Sequence, residues 1–295
     1  MAVTAAQVKE LREMSGAGMM DCKNALVECD GDMEKAIDWL RQKGIAKSAK
    51  KASRIAAEGL SRVVVDGDKA IVVEINSETD FVAKNEQFLA LLDKTAEVIL
   101  AAAPADNEAA LALPVDGQTL NDLFVNATAT IGEKIVLRRF AVVEKGDDER
   151  FGTYMHMGGK SSTLVVMKGG NDDLAHYMAM QVASMNPTFV SRNDMPADVI
   201  EHERGIQLEI LRNDPKNANK PEQILEKIVE GRLSKSLEEM CLVDQPYFMD
   251  TDKKCAAVLK EAGAEVKCFL RYLVGEGIEK RQEDFAAEVA KQMGN

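Results

Sequence analysis

From Gly59 onward the sequence contains two copies of one pattern, and this repeat constrains the fold more than any other feature. The first copy has an apolar run at residues 60–65, a turn at Gly67, a second run at 70–75 and then a helical pattern. The second copy follows the same order around a turn at Gly158, which lies 91 residues after Gly67. Short apolar runs joined by glycine turns predict antiparallel hairpins, and a helix after each hairpin predicts two α+β units.

A later apolar run completes each unit, at residues 135–138 for the first and 268–271 for the second. These two runs are farther apart than the two turns, so the second unit holds 42 extra residues. We expect each unit to be a small antiparallel sheet backed by helices, with an insertion in the second unit.

The extra residues predict an antiparallel helical hairpin over residues 196–234. Val199, Ile206 and Ile210 recur at spacings of seven and four, and Pro221 begins a return helix after a polar loop. Because both helices have an apolar stripe on one side only, we expect them to pack against each other and project from the unit. Two ordinary core helices are the alternative.

The first 54 residues predict a compact bundle of three short helices. Thr4 followed by Gln7 is a capping-box pattern for the first helix. Asp21 and Asp32 are expected to cap the second and third helices, and Gly44 is expected to end the third.

A bundle of this size resembles a ubiquitin-associated domain, a common binder of peptides and proteins. Met19 and Met20 lie in its first turn, and methionine adapts well to partner surfaces. They are therefore candidate contact residues, although both could instead belong to the core of the bundle. The basic stretch at 45–57 lacks aromatic residues, which favours a solvated linker helix over an RNA contact.

The polar loop from Thr79 to Lys84 connects the second strand of the first unit to its helix and has an aromatic residue, Phe81, at its tip. Asn85 is a candidate N-cap for that helix. Loops held between rigid elements often carry function. Phe81 is therefore either an exposed contact for a partner or an anchor that folds into its own core.

Composition argues against several classes of protein. With 37 basic and 49 acidic residues the net charge is −12, which disfavours nucleic acid as a direct partner. Five cysteines without C-x-x-C spacing, no signal peptide and no apolar run of membrane-spanning length indicate a reduced, cytoplasmic protein without a membrane partner. The three histidines adjoin no cysteine at ligand spacing, so we expect no metal site.

No catalytic motif for phosphate binding, dinucleotide binding, zinc proteolysis or serine hydrolysis occurs in the chain. We therefore expect neither an active site nor a cofactor. An enzyme would require a reactive cysteine beside a histidine, which sequence cannot reveal. A scaffold that binds peptides through the N-terminal bundle is a further alternative.

Two stretches, residues 79–83 (TDFVA) and 16–23 (GAGMMDCK), closely resemble bacterial elongation factor Ts. Residues 229–232 (VEGR) and 274–280 (VGEGIEK) are similar to the same family, so the resemblance spans nearly the whole chain. It implies a guanine-nucleotide exchange factor that binds elongation factor Tu in its GDP-bound and nucleotide-free states.

The resemblance also implies roles for particular residues and segments. The loop residues would disturb the magnesium site of the GTPase: Thr79, Asp80, Phe81 and Val82. Contacts from the bundle and from the second unit would come from Arg12, Met19, Met20 and His156. The expected domains are a ubiquitin-associated-like bundle at 1–54, core units at 55–145 and 146–280, and a C-terminal helical module at 281–295.

Overall fold

The computed structural model describes residues 3–214, 216 and 220–279, and the fold is α+β. The N-terminal bundle comprises α1 (Ala5–Ser15), α2 (Met19–Glu28) and α3 (Met33–Ala49). These helices pack around the fully buried side chains of Leu11, Cys22 and Leu26. The capping box of Thr4 and Gln7 is confirmed, and Asp32 caps α3 by accepting a hydrogen bond from the backbone of Lys35.

Two helix boundaries differ from the prediction. The N-cap of α2 is Gly18, and Asp21 lies within the first turn, where its carboxylate pairs with Lys47 at 2.9 Å. The third helix does not end at Gly44 but continues to Ala49, so the start of the expected linker belongs to the bundle. Glycine often ends a helix, but a helix can continue through a glycine where another element packs closely against it.

The sheet of the first unit comprises β1 (Glu58–Asp66), β2 (Lys69–Ser77) and β5 (Val136–Glu144). All pairings are antiparallel, as the apolar runs predict, and the structure places β2 in the centre. The predicted helix α4 (Glu86–Ala102) covers one face of the sheet, with Phe88, Leu92 and Ile99 fully buried. Elements that sequence analysis did not assign lie between α4 and β5: α5 (Asn107–Leu111), β3 (Pro114–Val115), β4 (Gln118–Thr119) and α6 (Leu120–Ile131).

The bundle packs against α6 of the first unit. Gly44 of α3 faces the side chains of Val125 and Ala129, which explains why a small residue lies inside this helix. Arg41 of α3 donates to both carboxylate oxygens of Asp122, at 2.9 and 3.0 Å. Burial raises the pKa of Asp122, but hydrogen bonds from Thr119 and the Arg41 guanidinium outweigh this effect and hold the pKa below its usual value.

The sheet of the second unit comprises β6 (Glu149–His156), β7 (Ser161–Lys168) and β10 (Glu265–Leu273). Its strand order places β7 in the centre, so the later strand pairs with the second strand of the hairpin in both units. Helix α7 (Asp172–Met185) packs on this sheet. The insertion before β10 contains α8 (Ala197–Asn213), α9 (Glu222–Met240), β8 (Pro246–Tyr247), β9 (Asp250–Lys254) and α10 (Cys255–Glu261).

Helices α8 and α9 pack against each other, and α9 extends six residues beyond the expected end at 234. The predicted stripe is only partly correct, because Ile206 and Ile210 are exposed while Leu211 is buried. One residue along a helix rotates the side chain by about 100°, so a stripe assigned one position early faces away from the partner helix. At the base of the hairpin, Leu237 packs with Met195 in a separate small cluster.

The two sheets pack face to face. Ala70 and Val72 of β2 form a buried cluster with Leu164 of β7. Ser61 of β1 donates to the carbonyl oxygen of Gly159 at 2.8 Å, which fixes the β6–β7 turn against the first sheet.

A buried carboxylate joins the first sheet to the chain that follows β10. Glu74 of β2 is fully buried and accepts hydrogen bonds from Arg139 at 2.6 Å, Arg138 at 3.3 Å and the backbone of Gly275 at 2.9 Å. A β-bulge opposite Glu74 brings the two consecutive arginines to one carboxylate. The predicted C-terminal module at 281–295 lies outside the described residues.

Candidate functional site

The loop between β2 and α4 is fixed at both ends. It leaves the central strand at Ser77 and forms a short 3₁₀ turn over Val82–Lys84. The side chain of Asn85 then caps α4, accepting from the backbone of Gln87 at 2.8 Å and of Phe88 at 3.3 Å. The predicted cap is confirmed, and between β2 and α4 only residues 78–81 and the cap Asn85 lie outside regular structure.

Phe81 lies at the tip of this loop with 79% of its surface exposed, and Asp80 beside it is also exposed. The hypothesis that Phe81 anchors the loop in the core is therefore wrong. Val82 and Ala83 anchor the loop instead, since they are 7% and 6% exposed and pack in the core of the first unit. Val82, expected as a partner contact, is thus a buried anchor in this structure. A large aromatic ring held outside the core by its own neighbours presents an apolar surface suited to a partner pocket.

A carboxylate from the segment just before β5 holds the start of the loop. One oxygen of Glu133 accepts hydrogen bonds from the backbone of Glu78 at 3.1 Å and of Thr79 at 2.9 Å. The other oxygen accepts from the hydroxyl of Thr79 at 2.6 Å. Thr79 therefore has its side chain turned toward the protein, whereas Asp80 and Phe81 face solvent.

The neighbouring Lys134 ties the same loop to the segment that follows the bundle. Its backbone N–H donates to Glu78 at 2.6 Å, and its ammonium donates to the carbonyl oxygens of Ala52 and Arg54 at 2.7 and 2.9 Å. Arg54 in turn pairs with Glu78 at 3.3 Å. The positions of Glu133 and Lys134 beside the loop could not be predicted from the sequence, because they depend on how β5 pairs with β2.

The candidate residues of the bundle are exposed on its surface. Met19 and Met20 are 48% and 64% exposed, so the alternative that both are core residues is wrong. Arg12 is exposed and lines a shallow cleft between α1 and Gln87, six residues beyond Phe81. The structure thus brings the end of α1 and the start of α4 to the same part of the surface.

His156 is exposed at the end of β6, where its ring nitrogen Nδ1 lies 3.0 Å from the hydroxyl of Tyr154. The turn that follows is held near the start of β1 by the ion pair of Lys160 with Glu58 at 2.8 Å. Because Glu58 pairs with Ser77 in the first sheet, this turn and the Phe81 loop emerge at the same end of the two sheets. Two of the predicted contact regions, the Phe81 loop and the turn beside His156, therefore lie at the same end of the two sheets.

Two of the five cysteines, Cys241 and Cys255, are buried thiols unsuited to nucleophilic chemistry. Burial raises the pKa of the Cys255 thiol to about 12 and also raises the pKa of the Cys241 thiol. Such thiols are protonated near neutral pH and are poor nucleophiles. Within residues 3–214, 216 and 220–279, no group of three or more His, Cys, Asp or Glu side chains is arranged to hold a metal ion. In the same part of the chain, no helix combines the length and apolar character needed to cross a bilayer.

Comparison with known proteins identifies the family. The family model described as elongation factor TS matches residues 78–276 of this chain. The chain belongs to the elongation factor Ts family. Elongation factor Ts of Oenococcus oeni is 53% identical over 291 residues, covering 99% of this chain and 98% of the relative. The proteins of the same name from Pediococcus pentosaceus and Limosilactobacillus reuteri are each 50% identical, over 292 and 291 residues, and the match covers 99% of both chains in each case.

The elongation factor Ts family model covers most of the candidate site. The matched span begins at Glu78, so it contains the Phe81 loop, Glu133 and His156. The N-terminal bundle lies outside that span but inside the alignments with the three relatives, which cover nearly the whole chain. Membership of this family places the chain among the translation elongation factors.

Proposed function

We propose that this chain is the guanine-nucleotide exchange factor of elongation factor Tu. In this proposal it binds the GDP-bound GTPase, disturbs the magnesium and phosphate site, and promotes GDP release so that GTP enters. The observation that carries the proposal is the exposed ring of Phe81 on a loop fixed between a central strand and a capped helix. Family membership supports the same partner.

The physical basis is reciprocal coupling between two ligands of one protein. A factor that binds the nucleotide-free GTPase more tightly than the GDP-bound form must weaken GDP binding by the same factor. Such a factor needs no active site or cofactor of its own. It needs a rigid projection that fits only the distorted, nucleotide-free state of its partner.

The geometry divides the candidate residues by role. Asp80 and Phe81 are proposed to enter the GTPase and displace the elements around its magnesium ion. Thr79 and Val82 are proposed to hold the loop in place, through a hydrogen bond and through burial respectively. Affinity is proposed to come from residues of the bundle and of the second sheet: Arg12, Met19, Met20 and His156.

The proposal is tested by stopped-flow release of fluorescent GDP from the cognate elongation factor Tu. Release should accelerate with the concentration of this protein and reach a plateau, and added magnesium should oppose the acceleration. A control with Phe81→Ala separates an effect of the loop from nonspecific binding.

A peptide-binding or protein-binding scaffold built on the N-terminal bundle is the alternative function. It predicts tight binding to a partner through Met19 and Met20, with GDP release unchanged at every concentration. This result would overturn the exchange proposal even if the two proteins formed a stable complex.

A further inference from the structure

We infer that Glu133 is a positioning residue for nucleotide exchange, which acts by fixing the backbone of the loop that presents Phe81. This inference rests on the proposed function of that loop. The Glu133 carboxylate accepts three hydrogen bonds from residues 78 and 79, at the start of the loop and before Phe81.

The position of Glu133 follows from strand pairing. Strands β2 and β5 are antiparallel, and Asn76 lies opposite Val136. Extending this register by three residues beyond the Asn76–Val136 pair places Thr79 opposite Glu133. The strands no longer pair there, and one carboxylate oxygen of Glu133 accepts hydrogen bonds from the backbone N–H groups of residues 78 and 79.

The end of α6 makes this position rigid. Gly132 adopts a left-handed conformation with φ of 91° and ends the helix, donating its N–H to the carbonyl oxygen of Thr128. The hydroxyl of Thr128 accepts a hydrogen bond from the backbone of Ile135 at 3.2 Å. The chain on both sides of Glu133 is therefore fixed, so its carboxylate is presented at one place with few alternative positions.

Hydrogen bonds at this site restrict the path of the loop more than they stabilise the protein. Residues 78 and 79 are half-buried, so water can replace some of the lost bonds if Glu133 is removed. The loop would then sample several conformations, and ordering it on binding would oppose entry of Phe81. The exchange rate should therefore fall more than stability does.

The test compares Glu133→Ala and Glu133→Gln in stopped-flow release of fluorescent GDP from elongation factor Tu. Glu133→Ala should lower the maximum rate by about tenfold, or about 1.4 kcal/mol. Glu133→Gln should restore most of this rate, because the amide oxygen accepts the two backbone bonds and the Thr79 hydroxyl reverses to accept from the amide nitrogen. Glu149→Ala is the matched control. The Glu149 carboxylate also accepts a hydrogen bond from a backbone N–H, that of Gly146. It lies at the opposite end of β6 from His156 and therefore away from the Phe81 loop.

A double-mutant cycle with Phe81→Ala distinguishes positioning from general destabilisation. If Glu133 acts through Phe81, then Glu133→Ala should slow exchange about tenfold in the wild-type background and less than about twofold when Phe81 is already alanine. Equal effects in both backgrounds, or a loss of rate that follows the fraction of unfolded protein, would overturn the inference. Failure of the wild-type protein to accelerate GDP release would instead overturn the proposed function, so the two failures are distinguishable.

Discussion

Replacing Phe81 by alanine should nearly abolish nucleotide exchange while leaving the fold intact. The ring is 79% exposed in the free protein, so its removal takes few contacts from the core. Surface substitutions away from special features usually change stability by less than about 0.5 kcal/mol. We therefore expect the thermal midpoint of Phe81→Ala to lie within about 2 °C of the wild-type value.

The expected loss of exchange follows from the exposed area of the ring. A buried aromatic side chain typically removes at least about 150 Å² from solvent. Because Phe81 is 79% exposed, roughly four-fifths of this area is still available for burial in a partner. Burial of that area in a partner is worth about 3 kcal/mol at about 25 cal/mol per Å². Interface anchors typically cost about 2–4 kcal/mol when truncated, which agrees with this figure. Stimulated GDP release should therefore slow by about 30- to 1,000-fold.

Stopped-flow GDP release and thermal unfolding on the same preparation provide the measurement. Phe88→Ala is the matched control, because Phe88 is a fully buried aromatic seven residues away and its truncation should cost about 3–5 kcal/mol of stability. Phe88→Ala should therefore lose stability, and its exchange rate per folded molecule should change much less than that of Phe81→Ala. If Phe81→Ala melted several degrees lower yet retained the wild-type exchange rate per folded molecule, the loop would be a structural element and the reasoning would be refuted.

Three further predictions test the architecture around the site. Glu74→Ala should lower the free energy of unfolding by about 3 kcal/mol in urea titrations, because it leaves two partly buried arginines without their carboxylate. Replacing residues 204–230 by a short Gly-Ser link should leave a soluble protein whose thermal midpoint lies within a few degrees of the wild-type value. The reason is that Leu233 and the cluster at the hairpin base remain. Aggregation would show that the hairpin belongs to the main core. Asp122 has a lowered pKa, so the stability that it contributes should be present above about pH 4 and lost as the pH falls through the lowered value. In Asp122→Asn, which lacks this titration, the unfolding free energy should depend less on pH between about 5 and 3.

Features fixed by neighbouring residues could be predicted from the sequence. The turns at Gly67 and Gly158, the caps at Thr4 and Asp32, and the cap at Asn85 each depend on a few adjacent side chains, and the structure confirms them. The six apolar runs likewise form the predicted strands, because a run of alternating or continuous apolar residues has few other ways to be buried.

Features that depend on distant contacts could not be predicted. Gly44 is a helix terminator by local rules, and only its packing against α6 explains why α3 continues. Ile206 and Ile210 follow a heptad, but the adjacent Leu211 is buried instead. Glu133 has no local signature at all, since its partners lie more than fifty residues earlier. The proposed boundaries near residues 54 and 145 and the predicted contact roles stay predictions.

The late position of the closing strands has a consequence for synthesis on the ribosome. The first sheet is complete once the nascent chain reaches Glu144, whereas the second sheet lacks β10 until residue 273 has emerged. From the completion of β7 at Lys168 until β10 emerges, the β6–β7 hairpin exposes one edge of β7, and unpaired edges favour aggregation. Even the first sheet keeps a buried Glu74 without its backbone donor until Gly275 arrives. The order in which the chain is made therefore leaves the second half dependent on its last strand, and we expect truncated nascent chains to aggregate through β7.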